Sequence, residues 1–211
     1  GFQVNTVVLD IPTQILVVLT YAAWDYARVT VEHPLGRLFQ ELSIAENVTP
    51  NGIIKPRPHT DREFKKFLAA AVATITAQNL PGWLDGGSLP NLRFVSGIHD
   101  PEKELRPYAT TKIHTEFWNG QTFAINVIIP VFGDLGRNFV AFFDAINPKP
   151  EFFQKHVDYE EGLKTCDGFT PCNLGFEFGK MYLQVPGGLH QTIKLSDNIS
   201  HSRLSVDFGL I

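Results

Sequence analysis

The sequence predicts a mainly β protein, an antiparallel sandwich or jelly roll, with helices in its N-terminal part. From residue 91 onward, short runs rich in β-branched and aromatic residues alternate with turn signals such as NG, GDLG and SDN. The later runs have no helical pattern between them, which favours antiparallel pairing of neighbouring strands. The 17 Gly and 14 Pro of the 211-residue chain supply the many turns that such a fold needs.

Residues 1–90 form the predicted helical support region. Residues 12–32 are apolar, and their length together with Ala22 and Ala23 favours a buried helix over a strand. The T-x-x-E pattern of Thr60 and Glu63 predicts a capping box at the start of a second helix, over residues 60–80. Apolar side chains recur there at helical spacing, at Phe64, Phe67, Leu68, Ala71, Val72 and Ile75.

The β-rich core is predicted over residues 91–211, within a single domain that spans residues 1–211. Its strands are expected at residues 91–100, 110–118, 121–131, 137–146, 179–186, 189–195 and 202–211. Residues 147–178 interrupt this series with Pro, charged residues and both cysteines, and they predict an insertion loop. Loops of this length are usually functional lids or disordered segments.

Charge and apolar content argue against several kinds of partner. A net charge of −4 and a pI of about 6.0 argue against nucleic acid and acidic membrane lipids. The most apolar segment, residues 15–24, is too short to span a bilayer, so we expect no membrane partner and a cytoplasmic location. Cys166 and Cys172 are too few for a disulfide scaffold; two free thiols are expected, with a single disulfide as the alternative.

The stretch TKIHTEFWNG places His114 and Glu116 two residues apart, so that one strand face would carry both. Alone, this pair is equally typical of a surface ion pair or a chance spacing. A third ligand is available in His190, at the start of the later run LHQTIKL. Two imidazoles and one carboxylate suit a non-heme iron centre that keeps positions open for a co-substrate and O2. His114, Glu116 and His190 are therefore the predicted metal ligands and catalytic residues.

The last run, RLSVDFGLI, carries Arg203, Ser205 and Asp207 on one face and apolar residues on the other. A guanidinium fork binds a carboxylate bidentately, and a hydroxyl two residues further on adds a hydrogen bond. Arg203 and Ser205 are therefore predicted to hold the carboxylate of a ligand.

The order H-x-E…H…R-x-S resembles the Fe(II)/2-oxoglutarate-dependent oxygenases, and more weakly the small hydroxylases of streptomycin-type antibiotic biosynthesis. The resemblance covers roughly residues 90–211. It implies a double-stranded β-helix, a cupin-like jelly roll with an N-terminal helical region. It also implies Fe(II), O2, and 2-oxoglutarate held by Arg203 and Ser205. The implied reaction is hydroxylation of a small-molecule substrate with release of succinate and CO2.

Glu116 stands where the commoner pattern of this family has Asp. Clavaminate-synthase-like members also use Glu, so the metal role is retained. The family's halogenases need this position vacant for chloride, so a carboxylate favours hydroxylation, desaturation or ring closure. Two alternatives are a cupin-like metalloenzyme (an isomerase or a 2-oxoglutarate-independent dioxygenase) and a non-catalytic jelly-roll binding module. The Arg203 clamp argues against the first, and the complete ligand set argues against the second.

Three further polar residues are expected to contact the co-substrate. Asn126 lies in the apolar run FAINVIIPV, where a buried amide needs a partner such as a ligand carboxylate. Thr192 shares strand parity with His190, and Lys112 shares it with His114, although a solvated strand-end lysine is an equal alternative for Lys112. His156 and Asp158 also match H-x-D, but their charged, turn-like surroundings argue against a ligand role.

Overall fold

Two antiparallel sheets form the β-rich part of the chain in the computed structural model, which describes residues 5–31, 37–80, 87–121, 124–185 and 187–211. The larger sheet contains β1 (Thr6–Asp10), β2 (Asn91–Val95), β3 (Ile125–Gly133), β6 (Lys180–Gln184) and β8 (Arg203–Leu210). The smaller contains β4 (Asn138–Ile146), β5 (Gly168–Pro171) and β7 (Gly188–Lys194). Their strand orders are β1-β6-β3-β8-β2 and β5-β4-β7. The predicted mainly β architecture with antiparallel sheets is confirmed.

Helices cover the outer face of the larger sheet. They are α1 (Thr13–Val31), α2 (Leu38–Ile44) and α3 (Asp61–Thr76). Two short helices lie elsewhere, α4 (Pro101–Glu104) and α5 (Tyr159–Leu163), and α5 packs in a separate cluster with Trp118. The helices predicted from residues 12–32 and 60–80 are therefore present, the second one shorter. Leu19 and Phe67 of these helices share one buried cluster with Val127, Leu204 and Val206 of the sheet. Within the described residues, none of the helices combines the length and the apolar character needed to cross a membrane.

The predicted capping box at the start of α3 is wrong. Thr60 makes no side-chain hydrogen bond to the first turn of α3. Its hydroxyl instead closes the preceding 3-10 turn, where it accepts from the Arg57 amide at 2.9 Å and donates to the Arg57 carbonyl at 3.0 Å. The Thr60 hydroxyl is therefore used one turn earlier than predicted, and Glu63 instead pairs with Arg62.

Strand β8 separates two environments, because successive side chains of a strand point to opposite faces. Leu204, Val206 and Phe208 pack into the cluster under the helices. Arg203, Ser205 and Asp207 lie on the opposite face, which is directed toward the smaller sheet. Between the sheets, a second cluster joins the larger sheet to the smaller one through Ile128, Tyr182, Val140, Phe142 and Phe176. The larger sheet thus turns one apolar face to the helices and one mixed, polar face to the space between the sheets.

The strand predicted at residues 110–118 is wrong. His114 makes only an isolated bridge to His190, and Glu116–Asn119 is a 3-10 helix that ends at Gly120, whose φ is 92°. The indole of Trp118 is fully buried and donates to the Phe152 carbonyl at 2.9 Å. This long-range contact holds the chain in a turn where its local pattern favours a strand. The other six predicted runs each contain a strand, whereas β1 and β5 were not predicted.

The segment 147–178, predicted as an insertion loop, contains regular secondary structure. It contains a 3-10 turn, Pro150–Phe153, followed by α5 and β5. Phe152, Tyr159 and Cys166 form a buried cluster with Trp118 and Leu189. Cys166 and Cys172 are both free thiols. This segment is therefore packed against the region of His114 and Glu116.

Candidate metal centre

The side chains of His114, Glu116 and His190 meet at one point between the sheets. One ligand atom from each lies within 4.8 Å of the other two. The Oε1 atom of Glu116 is 3.5 Å from Nε2 of His190 and 4.0 Å from Nε2 of His114. Of the residues that the structure describes, these three form the one group of His, Cys, Asp or Glu side chains placed to hold a metal ion.

The backbone explains why these side chains converge. His114 and His190 exchange amide–carbonyl hydrogen bonds of 3.0 and 2.9 Å, so both side chains leave an antiparallel bridge on the same side. Thr115 is extended, with φ −121° and ψ 156°, and the 3-10 helix begins at the next residue. One extended residue is sufficient to bring Glu116 to the face of His114. The predicted i, i+2 relation therefore holds although the predicted strand does not.

Both imidazoles are buried, and their ring nitrogens differ in partners. Nδ1 of His114 lies 2.7 Å from the carbonyl of Lys112, which makes Nδ1 the donor and leaves the Nε2 lone pair free to bind a metal. Burial, helped by the neighbouring His190, lowers the pKa of His114 to about 3, so this ring is neutral. The Nδ1 atom of His190 is also buried but finds no hydrogen-bond partner among the described residues.

Glu116 is ionised although only 21% of its side chain is exposed. Burial raises its pKa, but the hydrogen bond with His190, the adjacent imidazoles and the Asn119 amide together have the larger effect, and the pKa is lowered to about 2. Neutral imidazoles and an ionised carboxylate are the forms that bind a divalent transition metal. The donor set therefore fits the iron that the sequence pattern implies.

Arg203 is the second notable group between the sheets, with only 2% of its surface exposed. Its guanidinium donates to Ser205 Oγ at 2.7 Å, Asn138 Oδ1 at 3.1 Å and Thr192 Oγ1 at 3.3 Å. Its central carbon lies 5.4 Å from the centroid of the Phe176 ring. Burial, together with the positive charge of Arg93, lowers the pKa of this guanidinium. Among the described residues, its hydrogen-bond partners are all neutral.

The buried guanidinium lies close to the metal ligands along β7. His190 and Thr192 are two residues apart on one face of this strand, a spacing of about 7 Å, and Thr192 contacts Arg203. Asn126 lines a small cavity together with Glu116 and His190. Of the five residues predicted to contact the co-substrate, Asn126 thus lies beside the metal ligands, and Thr192, Arg203 and Ser205 form one hydrogen-bonded group on β7 and β8.

The fifth, Lys112, is engaged differently. Its ammonium group forms an ion pair with Glu160 of α5 at 2.9 Å, and its carbonyl holds His114. The alternative H-x-D pair is also used elsewhere. Nε2 of His156 lies 2.9 Å from the Glu151 carbonyl, and Asp158 caps α5 by accepting from the Glu161 amide. Neither of these side chains is part of the group around Glu116.

Three residues at the site were not predicted from the sequence. Asn119 donates to Glu116, and the Tyr159 ring stacks on His114 with a centroid distance of 4.3 Å. Arg93 on β2 forms a bidentate pair with Asp207, with N–O distances of 2.6 and 3.1 Å. None of these three residues had a local signal in the sequence; the partner of Arg93, Asp207, was predicted only to share the strand face of Arg203 and Ser205.

A separate cavity of about 250 Å³ opens beside the end of β2, between residues 48–52 and 96–111. Arg106, Glu104 and Lys194 lie in its wall. The three candidate metal ligands do not line it, so it is distinct from the space between the sheets that they occupy.

Solved structures with a similar fold exist, although no family model and no curated protein matches the sequence. The non-heme α-ketoglutarate-dependent carbocyclase SnoK of nogalamycin biosynthesis superposes with a TM-score of 0.50 at 10% identity, covering 97% of this chain and 79% of SnoK. A prolyl-4-hydroxylase of Pseudomonas putida gives 0.46 at 14% identity, with coverages of 98% and 91%. A prolyl hydroxylase of Trichoplax adhaerens gives 0.47 at 8% identity, with coverages of 98% and 83%. The similarity to SnoK is one of overall fold.

Proposed function

We propose that this chain is an Fe(II)- and 2-oxoglutarate-dependent oxygenase built on a double-stranded β-helix. The observation that carries the proposal is the pairing of two features that strand β7 connects through His190 and Thr192. A two-histidine, one-carboxylate group lies next to a buried guanidinium whose hydrogen-bond partners among the described residues are neutral. A buried cation of this kind is costly unless an anion joins it. A co-substrate that carries a carboxylate and also binds the metal accounts for both features.

His114, Glu116 and His190 would hold the iron through Nε2, Oε1 and Nε2. Three protein ligands on a six-coordinate ion leave room for two atoms of a 2-oxo acid and for O2. When bound, Fe(II) supplies the oxygen chemistry that converts 2-oxoglutarate to succinate and CO2 and oxidises the substrate. The protein's own contribution is a donor set with two buried imidazoles, in which the Lys112 carbonyl fixes the tautomer of His114.

Arg203 would bind the far carboxylate of 2-oxoglutarate. The planar guanidinium of Arg203 can donate two parallel hydrogen bonds to one carboxylate. Ser205 and Thr192 hydrogen-bond to the guanidinium and orient it for this contact. Asn126, which lines a small cavity with Glu116 and His190, would donate to the co-substrate near the metal. We assign no co-substrate contact to Lys112, because its ammonium group forms an ion pair with Glu160.

The substrate would be a small molecule, and the carboxylate at position 116 favours oxygen insertion, desaturation or ring closure over halogenation. The sequence pattern also resembles, more weakly, the hydroxylases of streptomycin-type antibiotic biosynthesis. Hydroxylation of a C–H bond is the simplest outcome of this chemistry and the one that we propose.

Two measurements test the proposal. Anaerobic addition of Fe(II) and then 2-oxoglutarate to the purified chain should produce a visible charge-transfer band, and aerobic incubation should release succinate. Glu116→Ala should abolish both signals, while His156→Ala, which changes the H-x-D pair outside the site, should retain them. A flat difference spectrum with the wild-type chain would contradict the co-substrate assignment, and turnover without succinate would favour a 2-oxoglutarate-independent metalloenzyme.

A further inference from the structure

The two oxygens of Glu116 have different surroundings. Oε1 faces the Nε2 atoms of His190 and His114. Oε2 accepts a hydrogen bond of 2.9 Å from Nδ2 of Asn119, three residues further along the 3-10 helix. One oxygen is therefore directed at the metal position, and the other is held by a neutral donor.

The Asn119 amide is locked in this orientation. Its Nδ2 group donates to Glu116 Oε2 and, at 3.1 Å, to the hydroxyl of Tyr159. Its Oδ1 atom accepts from the Gln121 amide at 3.2 Å. A flipped amide would place Oδ1 against the carboxylate and NH2 against a backbone N–H, so both outcomes would be repulsive. The donor side must therefore face Glu116.

Tyr159 contacts both metal-binding residues of this segment, one directly and one through Asn119. Its ring lies nearly parallel to His114, with a centroid distance of 4.3 Å and an interplanar angle of 13°. Its hydroxyl oxygen accepts the second hydrogen bond of the Asn119 Nδ2 group. A single buried side chain, 2% exposed, thereby limits the rotation of the His114 ring and the orientation of Asn119.

The position of Tyr159 is itself fixed by backbone contacts. Its amide donates to the Pro107 carbonyl at 3.1 Å. Three residues later, Gly162 lies against Trp118 so closely that an added Cβ would be 2.2 Å from the indole. Helix α5 is thus packed directly on the 3-10 helix that carries Glu116 and Asn119.

We propose that Asn119 and Tyr159 are positioning residues that hold Glu116 for one-oxygen binding of the metal through Oε1 and hold the His114 ring in its binding orientation. The inference rests on the proposed function in assigning the group around Glu116 to a metal, but it does not depend on 2-oxoglutarate. Hydrogen-bond partners of metal ligands typically change metal affinity by about 10- to 100-fold when they are removed.

The test compares metal binding by four variants of the whole chain, with Co(II) as the probe. Asn119→Leu removes the donor to Glu116, Tyr159→Phe removes only the hydroxyl, and Tyr159→Leu removes the hydroxyl and the stacked ring. Tyr108→Phe is the matched control, because it removes another phenol that bonds to the same segment, through the His156 carbonyl at 2.6 Å, without contacting a ligand. Calorimetry gives the Co(II) affinity, the visible spectrum reports the ligand field, and a thermal scan without metal checks folding.

We expect Asn119→Leu and Tyr159→Leu to bind Co(II) about 10- to 100-fold more weakly than the wild type, with an altered visible spectrum. Tyr159→Phe should have a smaller effect because the ring remains. Tyr108→Phe should retain the wild-type affinity and spectrum, whatever its thermal midpoint. Unchanged Co(II) affinity and spectrum in Asn119→Leu would overturn the inference. If the variants weaken Co(II) as expected while the wild type releases no succinate, the positioning role stands and the oxygenase assignment fails.

Discussion

If Arg203 binds the far carboxylate of 2-oxoglutarate as proposed, replacing it by Met should remove the selectivity for a dicarboxylic co-substrate. The unbranched Met side chain fills much of the space of the arginine stem but has no fork. Asn138, Ser205 and Thr192 lose their common partner, and a bound carboxylate would lose the buried cation. The substitution is local, because the hydrogen bonds of Arg203 do not involve the three candidate metal ligands.

The magnitude follows from the burial of Arg203. Removing one partner of a buried, hydrogen-bonded charge pair costs about 2–5 kcal/mol. At about 1.4 kcal/mol per tenfold change, this corresponds to a 2-oxoglutarate Kd that rises by roughly 30-fold to several thousand-fold. The Kd for the metal should not change, since His114, Glu116 and His190 remain in place.

A calorimetric cycle with two ligands isolates this contact. Binding of 2-oxoglutarate and of 2-oxopentanoate, which has a methyl group in place of the far carboxylate, is measured with Mn(II) in the site. The wild type should bind 2-oxoglutarate far more tightly, and Arg203→Met should bind the two with similar affinity. Arg106→Met, which removes a half-buried arginine bound to Pro50 and Asn51, should keep the wild-type preference. If Arg203→Met still binds 2-oxoglutarate far more tightly than 2-oxopentanoate, Arg203 does not bind the far carboxylate.

Three other outcomes are expected. Gly162→Ala should lower the thermal midpoint by roughly 2–12 °C in a calorimetric scan, because its Cβ would overlap Trp118 at a cost of about 1–3 kcal/mol; an unchanged midpoint would show that α5 can shift freely. Chelation should lower the thermal midpoint of the metal-loaded wild type, because bound metal stabilises the folded chain by about 2.7 kcal/mol when free metal is at 100 times its Kd. The midpoint of His190→Ala should not change on chelation. Burial and the hydrogen bond with Asp144 raise the pKa of Cys172 to about 11, so its thiolate is scarcer at pH 8 than in the unfolded chain. Mass spectrometry should therefore find its alkylation roughly tenfold to a hundredfold slower in the folded protein, and equal rates would contradict this.

Periodic patterns within single elements were sufficient to predict much of the architecture. Alternation in residues 203–211 predicted that Arg203 and Ser205 share a face, and their side chains are hydrogen-bonded at 2.7 Å. Helical spacing predicted α3, and the length of the apolar run with Ala22 and Ala23 predicted α1. These features depend on which face of one element is apolar, and that information is local.

The backbone around Glu116 shows where local patterns fail. Residues 110–118 read as a strand, but the burial of Trp118 against Phe152 turns the chain into a 3-10 helix. The prediction that His114 and Glu116 point to the same side still holds, because it needs only one extended residue between them. A side-chain relation over two residues is therefore more robust than the secondary structure from which it was inferred.

The sequence by itself thus determined which chemical groups are available: two imidazoles, one carboxylate and an arginine with a hydroxyl on its face. Only the tertiary structure decided what surrounds them. Tyr159 and Asn119 are 40 residues apart and meet through the packing of α5, and Arg93 reaches Asp207 across 114 residues. The periodicity of the sequence does not predict such contacts, because they depend on how whole elements pack against one another.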